Sequence, residues 1–341
     1  GVLGGVGAVV VFLPQILILF LFILILEQSG YMVRAAFLMD RLMARVGLNG
    51  RAFIPLISSF ACAIPGIMAT RTIDAPKDRL TTILIAPLMT CSARLPVYAI
   101  IIAAFIPSTQ VGGVFNLQGL VLFALYGFGV GGALLAAWVL RRTVTKGPTP
   151  TFLMEMPKYQ WPAPRDIGIG LWQRAWAFLA RAGTIILAST VVLWALASWP
   201  NPPAGATRPA LEYSIAGKIG AGLEPLFRPI GFNKEIALAL VPGMAAREVA
   251  VSALGTVYSL QGSEDELAAP LVDKLRAAWS LPTALAFLAW YVFAPQCIST
   301  LAVTRRETNG WKWPAFMFGY LFAMAYAGAG ITYWAARWLL G

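Results

Sequence analysis

The sequence has no histidine and few charges: of its 341 residues, 12% are charged and 59% are hydrophobic. Soluble proteins average about 25% charged residues, so too few charges are present here to cover a water-facing surface. The absence of imidazole excludes Ser-His-Asp hydrolases, HExxH zinc sites and histidine proton relays. The composition therefore predicts a membrane protein that lacks the usual general base of most enzyme classes.

Other common signals are missing as well. No GxxxxGK[ST] motif occurs, so the chain binds no nucleotide through a P-loop. The three cysteines, Cys62, Cys91 and Cys297, are an odd number without CxxC spacing, which predicts free thiols and no disulfide framework. The net charge of +11 comes from basic residues spread over several connectors. That distribution predicts contact with anionic lipid and no nucleic-acid partner.

What the chain does have is apolar runs of the length that crosses about 30 Å of hydrocarbon, roughly 20 residues. We predict an all-α, polytopic transmembrane helical bundle. The first run is too long for a cleaved signal peptide and is interpreted as a true span. The eight runs are 5–26, 52–70, 80–107, 117–140, 182–199, 236–260, 281–303 and 314–336.

The charges in the connectors predict which side of the membrane each one occupies. The 141–181 connector has seven basic and two acidic residues, whereas 108–116 has none of either sign. The positive-inside rule therefore predicts a cytoplasmic 141–181 and an external 108–116. If the basic 305–312 is cytoplasmic and the acidic 261–280 is external, the crossings add up only when run 236–260 re-enters without crossing. Charge alone leaves that question open.

Two connectors have features of their own. In 27–51, apolar residues recur at helical spacing with Arg34, Arg41 and Arg45 between them, which predicts an amphipathic helix at the membrane interface. The stretch 147–165 contains five prolines and cannot be a continuous helix. It is predicted to be an ordered cytoplasmic linker.

The two halves of the chain repeat a pattern of helix breakers. Pro65-Gly66 in one apolar run corresponds to Pro242-Gly243 in another. Pro87 followed by Cys91 corresponds to Pro295 followed by Cys297. A helix broken inside a bilayer frees backbone groups, which is tolerated where they line a cavity or bind substrate. Matched interrupted segments point to a transporter's midplane site, although a proline kink in a packed bundle is the simpler alternative.

Three charges lie inside apolar runs: Arg94, Arg247 and Glu248. A carboxylate there is costly unless it is paired, hydrated or bound to a cation, so Glu248 is a candidate functional residue. A structural ion pair is the alternative. Adjacent helical residues point about 100° apart, so Arg247 is a poor partner for Glu248 and Arg94 is a better one if the halves meet.

Sulfur atoms accompany the helix breakers. Cys62 precedes Pro65 by three residues, Cys91 follows Pro87 by four and Cys297 follows Pro295 by two. Soft sulfur ligands bind ferrous, cuprous or zinc ions. Met68 and Met89 could add thioethers. Packing is the alternative role for membrane Cys and Met.

At these residues the chain resembles a known family, the FeoB-type ferrous iron transporters, specifically their membrane part with its two Gate regions. The resemblance implies ferrous iron import across the bacterial inner membrane by a multi-pass protein that is not itself an enzyme. It places Cys62, Cys91 and Cys297 on the family's membrane cysteines and Glu248 on its second-Gate acidic position. The matching segments are 26–99, FLMEMPKY (152–159), WQRAWAFLARAGTIIL (172–187), LEPLFRPIGF (223–232), PGMAAREVAVSALGTVY (242–258) and APQCISTLAVTRRE (294–307).

The resemblance also predicts the organisation of the chain. Residues 1–140 form a first membrane half with a Gate region around 52–107, 141–181 is the linker, and 182–341 form a second half with a Gate region around 236–303. Helix breakers and the arginines inside apolar runs are assigned structural or gating roles: Pro65, Gly66, Pro87, Arg94, Pro242, Gly243, Arg247 and Pro295.

The partners follow from the family too. Its members normally begin with a cytoplasmic GTP-binding domain, so GTP and Mg²⁺ are expected to act through a domain in cis or in trans. Fe²⁺ is expected as the transported substrate, with no cofactor bound to this chain. A small cytoplasmic accessory protein and a homo-oligomer are further implied partners. A cytoplasmic N-terminal domain implies an external 27–51, against the basic bias of that connector, and the tension stays open.

Two other functions compete with iron transport. Gate-type repeats resemble those of nucleoside carriers, so an organic solute such as a nucleoside is the runner-up substrate. The few Asn and Gln residues in the chain disfavour it. A non-transporting membrane scaffold, whose matched breaks serve packing alone, is the third interpretation.

Overall fold

Helices account for nearly all of the regular structure in the computed structural model of the chain. A short antiparallel pair joins the strands Gln110–Val111 and Phe115–Asn116. The structure describes residues 14, 17–18, 20–111, 115–147, 158–180, 184–200, 213–245, 247, 249–258, 264–295 and 297–340.

Eight of the helices precede residue 182. They are α1 (Phe20–Gln28), α2 (Tyr31–Arg45), α3 (Phe53–Ala61), α4 (Ala63–Ala69), α5 (Pro76–Ile85), α6 (Leu95–Phe105), α7 (Leu117–Thr143) and α8 (Pro164–Phe178). The second part of the chain contains α9 (Thr184–Ser198), α10 (Ile215–Phe227), α11 (Lys234–Ala245), α12 (Val249–Val257), α13 (Glu264–Ala278), α14 (Leu281–Phe293), α15 (Ile298–Thr308) and α16 (Lys312–Leu340).

Four helical stretches of the described chain are long and apolar enough to cross a membrane. They are Pro76–Phe105, Leu117–Thr143, Leu281–Thr308 and Lys312–Leu339, and the bent pair α1 and α2 could provide a fifth. The predicted transmembrane helical bundle is confirmed. Runs 52–70 and 236–260 differ from the expected single spans, because each is divided into two short helices.

The first divided run is a hairpin. α3 and α4 are joined at Cys62, whose backbone is extended at φ −157° and ψ 137°. Gly66 of α4 lies against Pro55 and Ser59 of α3, where an added Cβ would be 2.8 Å from the Pro55 carbonyl oxygen. Residues separated by this many positions are far apart in a continuous helix, so α4 runs back beside α3.

The second divided run has the same form. An added Cβ on Gly243 of α11 would be 3.2 Å from the Cβ of Ala250 in α12, so these two helices also lie side by side. Arg247 lies in the turn between them and donates to carbonyl groups at residues 291–295. Tyr258, just after α12, accepts a 2.8 Å hydrogen bond from the Trp279 indole. The α11–α12 hairpin therefore has its tip near the break after α14.

One end of the bundle collects most of the basic connectors. Arg141, in the last turn of α7, forms a 2.8 Å ion pair with Asp78 at the start of α5. The Arg34 guanidinium of α2 lies 3.6 Å from the ring centroid of Tyr159 in the linker. Residues 71–79 also contact Glu307 at the end of α15. We call this end the basic face.

The other end, the opposite face, contains the remaining connectors. Arg276 donates to the Ala103 carbonyl oxygen at the end of α6, 3.0 Å away. Thr283, at the start of α14, donates to the carbonyl oxygen of Gly231, 3.1 Å away. Trp334, near the end of α16, donates to the Pro229 carbonyl oxygen over 3.2 Å. All four spanning stretches thus run between the basic face and this one.

The two hairpins enter from different faces. α3 follows Arg51 and α4 leads to Arg71, both at the basic face. α11 follows Gly231 and α12 leads to Tyr258, both at the opposite face. Run 236–260 therefore re-enters without crossing, which answers the question that charge left open. Run 52–70 does the same from the basic face, so the arrangement is inverted between the halves.

The structure describes all of connector 27–51 but only part of the proline-containing stretch 147–165. The predicted amphipathic helix is present as α2, bent by 86° from α1, with Met32, Ala36 and Met43 buried and Leu38 72% exposed. Within the proline-containing linker, residues 148–157 lie outside the described chain. The helix α8 begins at Pro164, where the missing N–H costs no helical hydrogen bond.

Candidate permeation site at the helix breaks

The first hairpin breaks where its sequence demands. Pro65 has no N–H and its ring clashes with the carbonyl four residues earlier, so the Ala61 carbonyl has no helical partner. The Ser92 hydroxyl donates to that oxygen over 3.1 Å. The tip of the hairpin, at Cys62, therefore lies beside the segment that follows Cys91.

The tip depends on close helix contact. An added Cβ on Gly66 would be 1.9 Å from the Ser59 Oγ, whose hydroxyl donates to the Pro55 carbonyl oxygen over 2.8 Å. Real Cβ atoms do not approach that closely. The glycine is required here by backbone proximity and not by an unusual φ angle.

The second break of the first half lies between α5 and α6. A 3-10 turn at Ala86–Leu88 is followed by extended backbone at Met89 and Cys91 and by a second 3-10 turn at Ser92–Arg94. Arg94 is fully buried. It donates to the Val292 carbonyl oxygen at 2.7 Å and to the Pro87 carbonyl oxygen at 3.3 Å. Arg94 therefore binds carbonyl groups of both halves.

Arg247 serves the corresponding break of the second half. Pro295 deprives the Tyr291 carbonyl of its helical partner, and Arg247 donates to that oxygen over 3.4 Å. It also donates to the carbonyl oxygens of Ala294, at 2.7 Å, and Pro295. Its guanidinium carbon lies 5.3 Å from the Tyr291 ring centroid. The carbonyls freed by this break are therefore occupied by an arginine.

Both buried arginines thus converge on the C-terminal end of α14. A helix C-terminus presents unpaired carbonyls and a partial negative charge, which favours cations there. The two guanidinium groups are close enough to repel each other electrostatically, and Cys91 and Tyr98 also interact electrostatically with Arg247. The Nε atoms of Arg94 and Arg247 have no hydrogen-bond partner among the described residues. Among the described residues, two buried guanidinium groups therefore meet at the centre of the bundle.

The cysteines all lie at breaks, as the sequence predicted. Cys62 is the tip of the first hairpin, Cys91 precedes the 3-10 turn that leads to Arg94, and Cys297 begins α15. The Cys297 sulfur lies 3.2 Å from the Thr300 hydroxyl. Within the described residues, no three Cys, Asp or Glu side chains are grouped so that they could hold a metal ion. Glu248, the predicted acidic partner, lies outside the described residues.

The methionines have different surroundings, because Met89 lies in an apolar core whereas the cavity beside Met68 is also lined by Glu27, Arg51 and Arg174. Met89 is buried in a core with residues of α3, α5 and α7. Met68 lines a cavity of about 540 Å³ between α1 and the first hairpin, together with Pro65 and Ser58. The environment of Met89 agrees with packing, which was the alternative interpretation of both residues.

The predicted breakers of the second hairpin do not lie at its break: Pro242 and Gly243 are buried inside α11, and the turn follows at Arg247. Pro242 lies inside α11, and Gly243 would place a Cβ 3.0 Å from the Tyr291 hydroxyl. The approach is tight but less severe than at Gly66.

Small residues of α7 were missed by the sequence interpretation. An added Cβ on Gly129 would be 2.9 Å from the Thr90 Oγ1 in the first-half break. One on Gly132 would be 2.5 Å from the Phe293 ring, which Gly328 of α16 approaches from another side. The cluster of glycines in GFGVGG (127–132) was the available signal.

An ion cluster at the basic face was also missed. Glu307 at the end of α15, with its side chain 3% exposed, binds Arg71 at 2.5 Å and Arg79 at 2.8 Å. The hydrogen bond and the charge of Glu307 raise the pKa of Arg71 above its ordinary value. We call these three residues the Glu307 cluster. It ties the end of the first hairpin and the start of α5 to the second half.

Two re-entrant hairpins that meet spanning helices from opposite faces define a polytopic membrane protein with an inverted repeat. The chain belongs to the Gate family. It matches the Gate family, described as "Nucleoside recognition", over residues 9–105 and 179–311. It matches the family described as "Ferrous iron transport protein B C terminus" over residues 122–174.

Curated relatives carry the same family name. The Fe(2+) transporter FeoB of Leptospira interrogans is 43% identical, covering 98% of this chain and 50% of the relative. The Fe(2+) transporter FeoB of Campylobacter jejuni is 37% identical, covering 100% of this chain and 55% of the relative. A Fe(2+) transport protein A/Fe(2+) transporter FeoB fusion protein of Porphyromonas gingivalis is 38% identical, covering 96% and 42%. The chain spans about half the length of these relatives. No solved structure matches it.

Proposed function

We propose that the chain is the membrane permeation part of a GTP-regulated importer of ferrous iron. One observation carries the proposal: in a Gate protein with inverted hairpins, each of the three thiols lies at a helix break. Sulfur is a suitable ligand for Fe²⁺. The relatives named Fe(2+) transporter FeoB support the same substrate.

The orientation of the chain in the membrane follows from charge. The connectors at the basic face, 27–51, 71–79, 141–181 and 305–312, contain 17 basic and 7 acidic residues. The connectors at the opposite face contain 6 basic and 7 acidic residues. The positive-inside rule makes the basic face cytoplasmic in a bacterial inner membrane. This orientation puts 27–51 inside, in agreement with its own basic bias.

Electrostatics restricts the path of a cation. A bare Fe²⁺ beside Arg94 and Arg247 is repelled, and the carbonyls at 291–295 that could have bound it are already occupied. Negative charge must therefore accompany the ion past this point. We assign that role to Glu248 together with the thiols of Cys62, Cys91 and Cys297, whereas Met68 and Met89 contribute packing.

The test is anaerobic Fe²⁺ uptake into proteoliposomes that contain this chain, with Cys91→Ser as the variant. Uptake should fall at least tenfold, since a hydroxyl is a poor ligand for ferrous iron beside the two arginines. Met89→Leu is the matched control, because it is a buried neighbour in which only packing changes. Equal uptake by Cys91→Ser and the wild type would refute the role of Cys91.

Competing solutes test the substrate class. Mg²⁺ in excess should leave Fe²⁺ uptake unchanged, and a labelled nucleoside should not accumulate. Nucleoside accumulation would favour the organic-solute alternative, which the Gate description "Nucleoside recognition" keeps in view. Absence of both fluxes from folded protein would favour the scaffold, unless a GTP-binding domain added in trans restores Fe²⁺ uptake.

Regulation is proposed to come from other polypeptide parts. GTP and Mg²⁺ would act through a domain in cis or in trans, and this chain would perform no hydrolysis itself. The Porphyromonas gingivalis relative, named as a fusion with Fe(2+) transport protein A, supports a small cytoplasmic accessory protein as partner. Binding of either partner should be disrupted by changes at the basic face and not at the opposite face.

A further inference from the structure

The turn between α15 and α16 borders an open cavity at the basic face. It has a volume of about 470 Å³ and is lined by Ala302, Arg305, Arg306, Asn309, Gly310 and Trp311. Asn309 ends α15 in a left-handed conformation, φ 53°, and lets the chain turn sharply into α16. None of these residues belongs to the helix breaks.

The charges in this cavity are not compensated within the described chain. The adjacent carboxylate, Glu307, uses both of its oxygens on Arg71 and Arg79. Arg305 and Arg306 form no ion pair with any described residue. The Arg305 guanidinium carbon instead lies 4.5 Å from the Trp311 ring centroid, which holds it at the cavity. Two arginines therefore offer planar donor groups to an anion.

Apolar side chains of α15 continue from the cavity toward the middle of the bundle. Ile298 and Ala302 share a face of α15 with Arg305, because they are separated from it by seven and three residues. Ile298 is 43% exposed and Trp311 is 59% exposed. An apolar strip thus leads from the two arginines along a spanning helix, next to a tryptophan at the position where aromatic side chains meet lipid headgroups.

We propose that this cavity binds the headgroup of an anionic phospholipid such as phosphatidylglycerol. The phosphodiester lies between Arg305 and Arg306, whose planar guanidinium groups match phosphate oxygens. An acyl chain follows Ile298 and Ala302. Charge complementarity selects an anionic over a zwitterionic lipid, since two cations here have no protein carboxylate to neutralise them.

Native mass spectrometry of the purified chain tests this site. The protein is released from micelles doped with equal amounts of phosphatidylglycerol and phosphatidylcholine. Wild-type protein should retain phosphatidylglycerol, and Arg305→Gln/Arg306→Gln should bind it about 30-fold more weakly. The matched control is Arg41→Gln/Arg45→Gln, which removes the same charge from exposed positions of α2 at the same face. Arg305→Lys/Arg306→Lys should restore part of the binding.

The outcomes separate the alternatives. Selective loss in the Arg305/Arg306 variant, with retention in the Arg41/Arg45 control, supports the lipid site. Equal weakening in both variants would overturn it in favour of general attraction to a basic face. Displacement of phosphatidylglycerol by equimolar glycerol 3-phosphate would also overturn it, because the cavity would then take a soluble phosphate and not a lipid.

Discussion

The two hairpins share a backbone design, but different side chains donate to the unpaired backbone carbonyls near their tips. At the first, a hydroxyl from Ser92 satisfies the Ala61 carbonyl. At the break near the second, charged guanidinium groups satisfy four carbonyls. Thiols show the reverse asymmetry, since Cys62 and Cys91 belong to the first half and Cys297 alone to the second. The inverted repeat therefore preserves the path of the chain while the chemistry of each half differs.

Removal of a buried arginine should cause the largest loss of stability. Arg94→Met leaves the carbonyls of Val292 and Pro87 without donors, which should lower the free energy of unfolding by about 4 kcal/mol. Thermal unfolding in detergent measures it. The control is Arg276→Met, whose carbonyl partners lie at the opposite face near solvent. If the two variants lost the same stability, the arginine would not be the main cap of α14.

The hairpin glycines come next. Gly66→Ala places a Cβ on the Ser59 hydroxyl and should destabilise the protein by about 3 kcal/mol, because backbone and side chain must both shift. Gly243→Ala meets its neighbours at 3.0 Å or more and should cost about 1 kcal/mol.

Gly119→Ala is the matched helical control, since nothing lies within 4 Å of its added Cβ. It should be neutral or slightly stabilising in thermal unfolding. A second variant, Gly66→Ala with Ser59→Gly, should recover part of the loss. The same Tm for Gly66→Ala and Gly119→Ala would show that the first hairpin is not closely packed.

The Glu307 cluster ties the two halves together at the basic face. Glu307→Gln removes the charge that holds Arg71 and Arg79, and because both arginines are partly exposed the loss should be about 1–2 kcal/mol. We expect faster alkylation of Cys62 by a thiol reagent applied from the basic face. Asp74→Asn, which breaks the exposed pair with Arg51, is the control. An unchanged alkylation rate would mean that the cluster does not close this face.

The smallest effect concerns the hydroxyl cap. Ser92→Ala should cost about 1 kcal/mol, because one carbonyl at the first tip loses its donor. Thr72→Ala, which removes an exposed hydroxyl bonded to the Ala69 carbonyl, is the control and should change Tm less. Equal Tm values would indicate that water satisfies the Ala61 oxygen.

Much of this arrangement could be predicted because it depends on local chemistry. Proline has no N–H, so Pro65 and Pro295 predicted the helix breaks beside them. The helical spacing of apolar residues in 27–51 predicted α2. The partners of the breaks could not be predicted. Arg94 binds Val292 across 198 positions and Glu307 binds Arg71 across 236. Such pairs are fixed by tertiary packing, which one sequence does not encode in any local pattern.

The candidate site shows the same division. The positions of Cys62, Cys91 and Cys297 beside helix breakers were readable from spacing, and the structure has each at a break. The occupation of the freed carbonyls was not. The sequence suggested that such carbonyls face a cavity or substrate, whereas two arginines bind them. The role of Glu248 stays a prediction.

The re-entrant path determines how each hairpin is anchored. Both ends of α3–α4 are anchored at one face, and both ends of α11–α12 at the other, so neither tip is tied through the bilayer. Each hairpin has its base at one face and its tip at the centre, where Ser92 donates to the Ala61 carbonyl at the first tip and Arg247 donates to the Ala294 carbonyl at the second. The two bases lie at different faces, so movement of either hairpin would first have to break the contacts at its own tip.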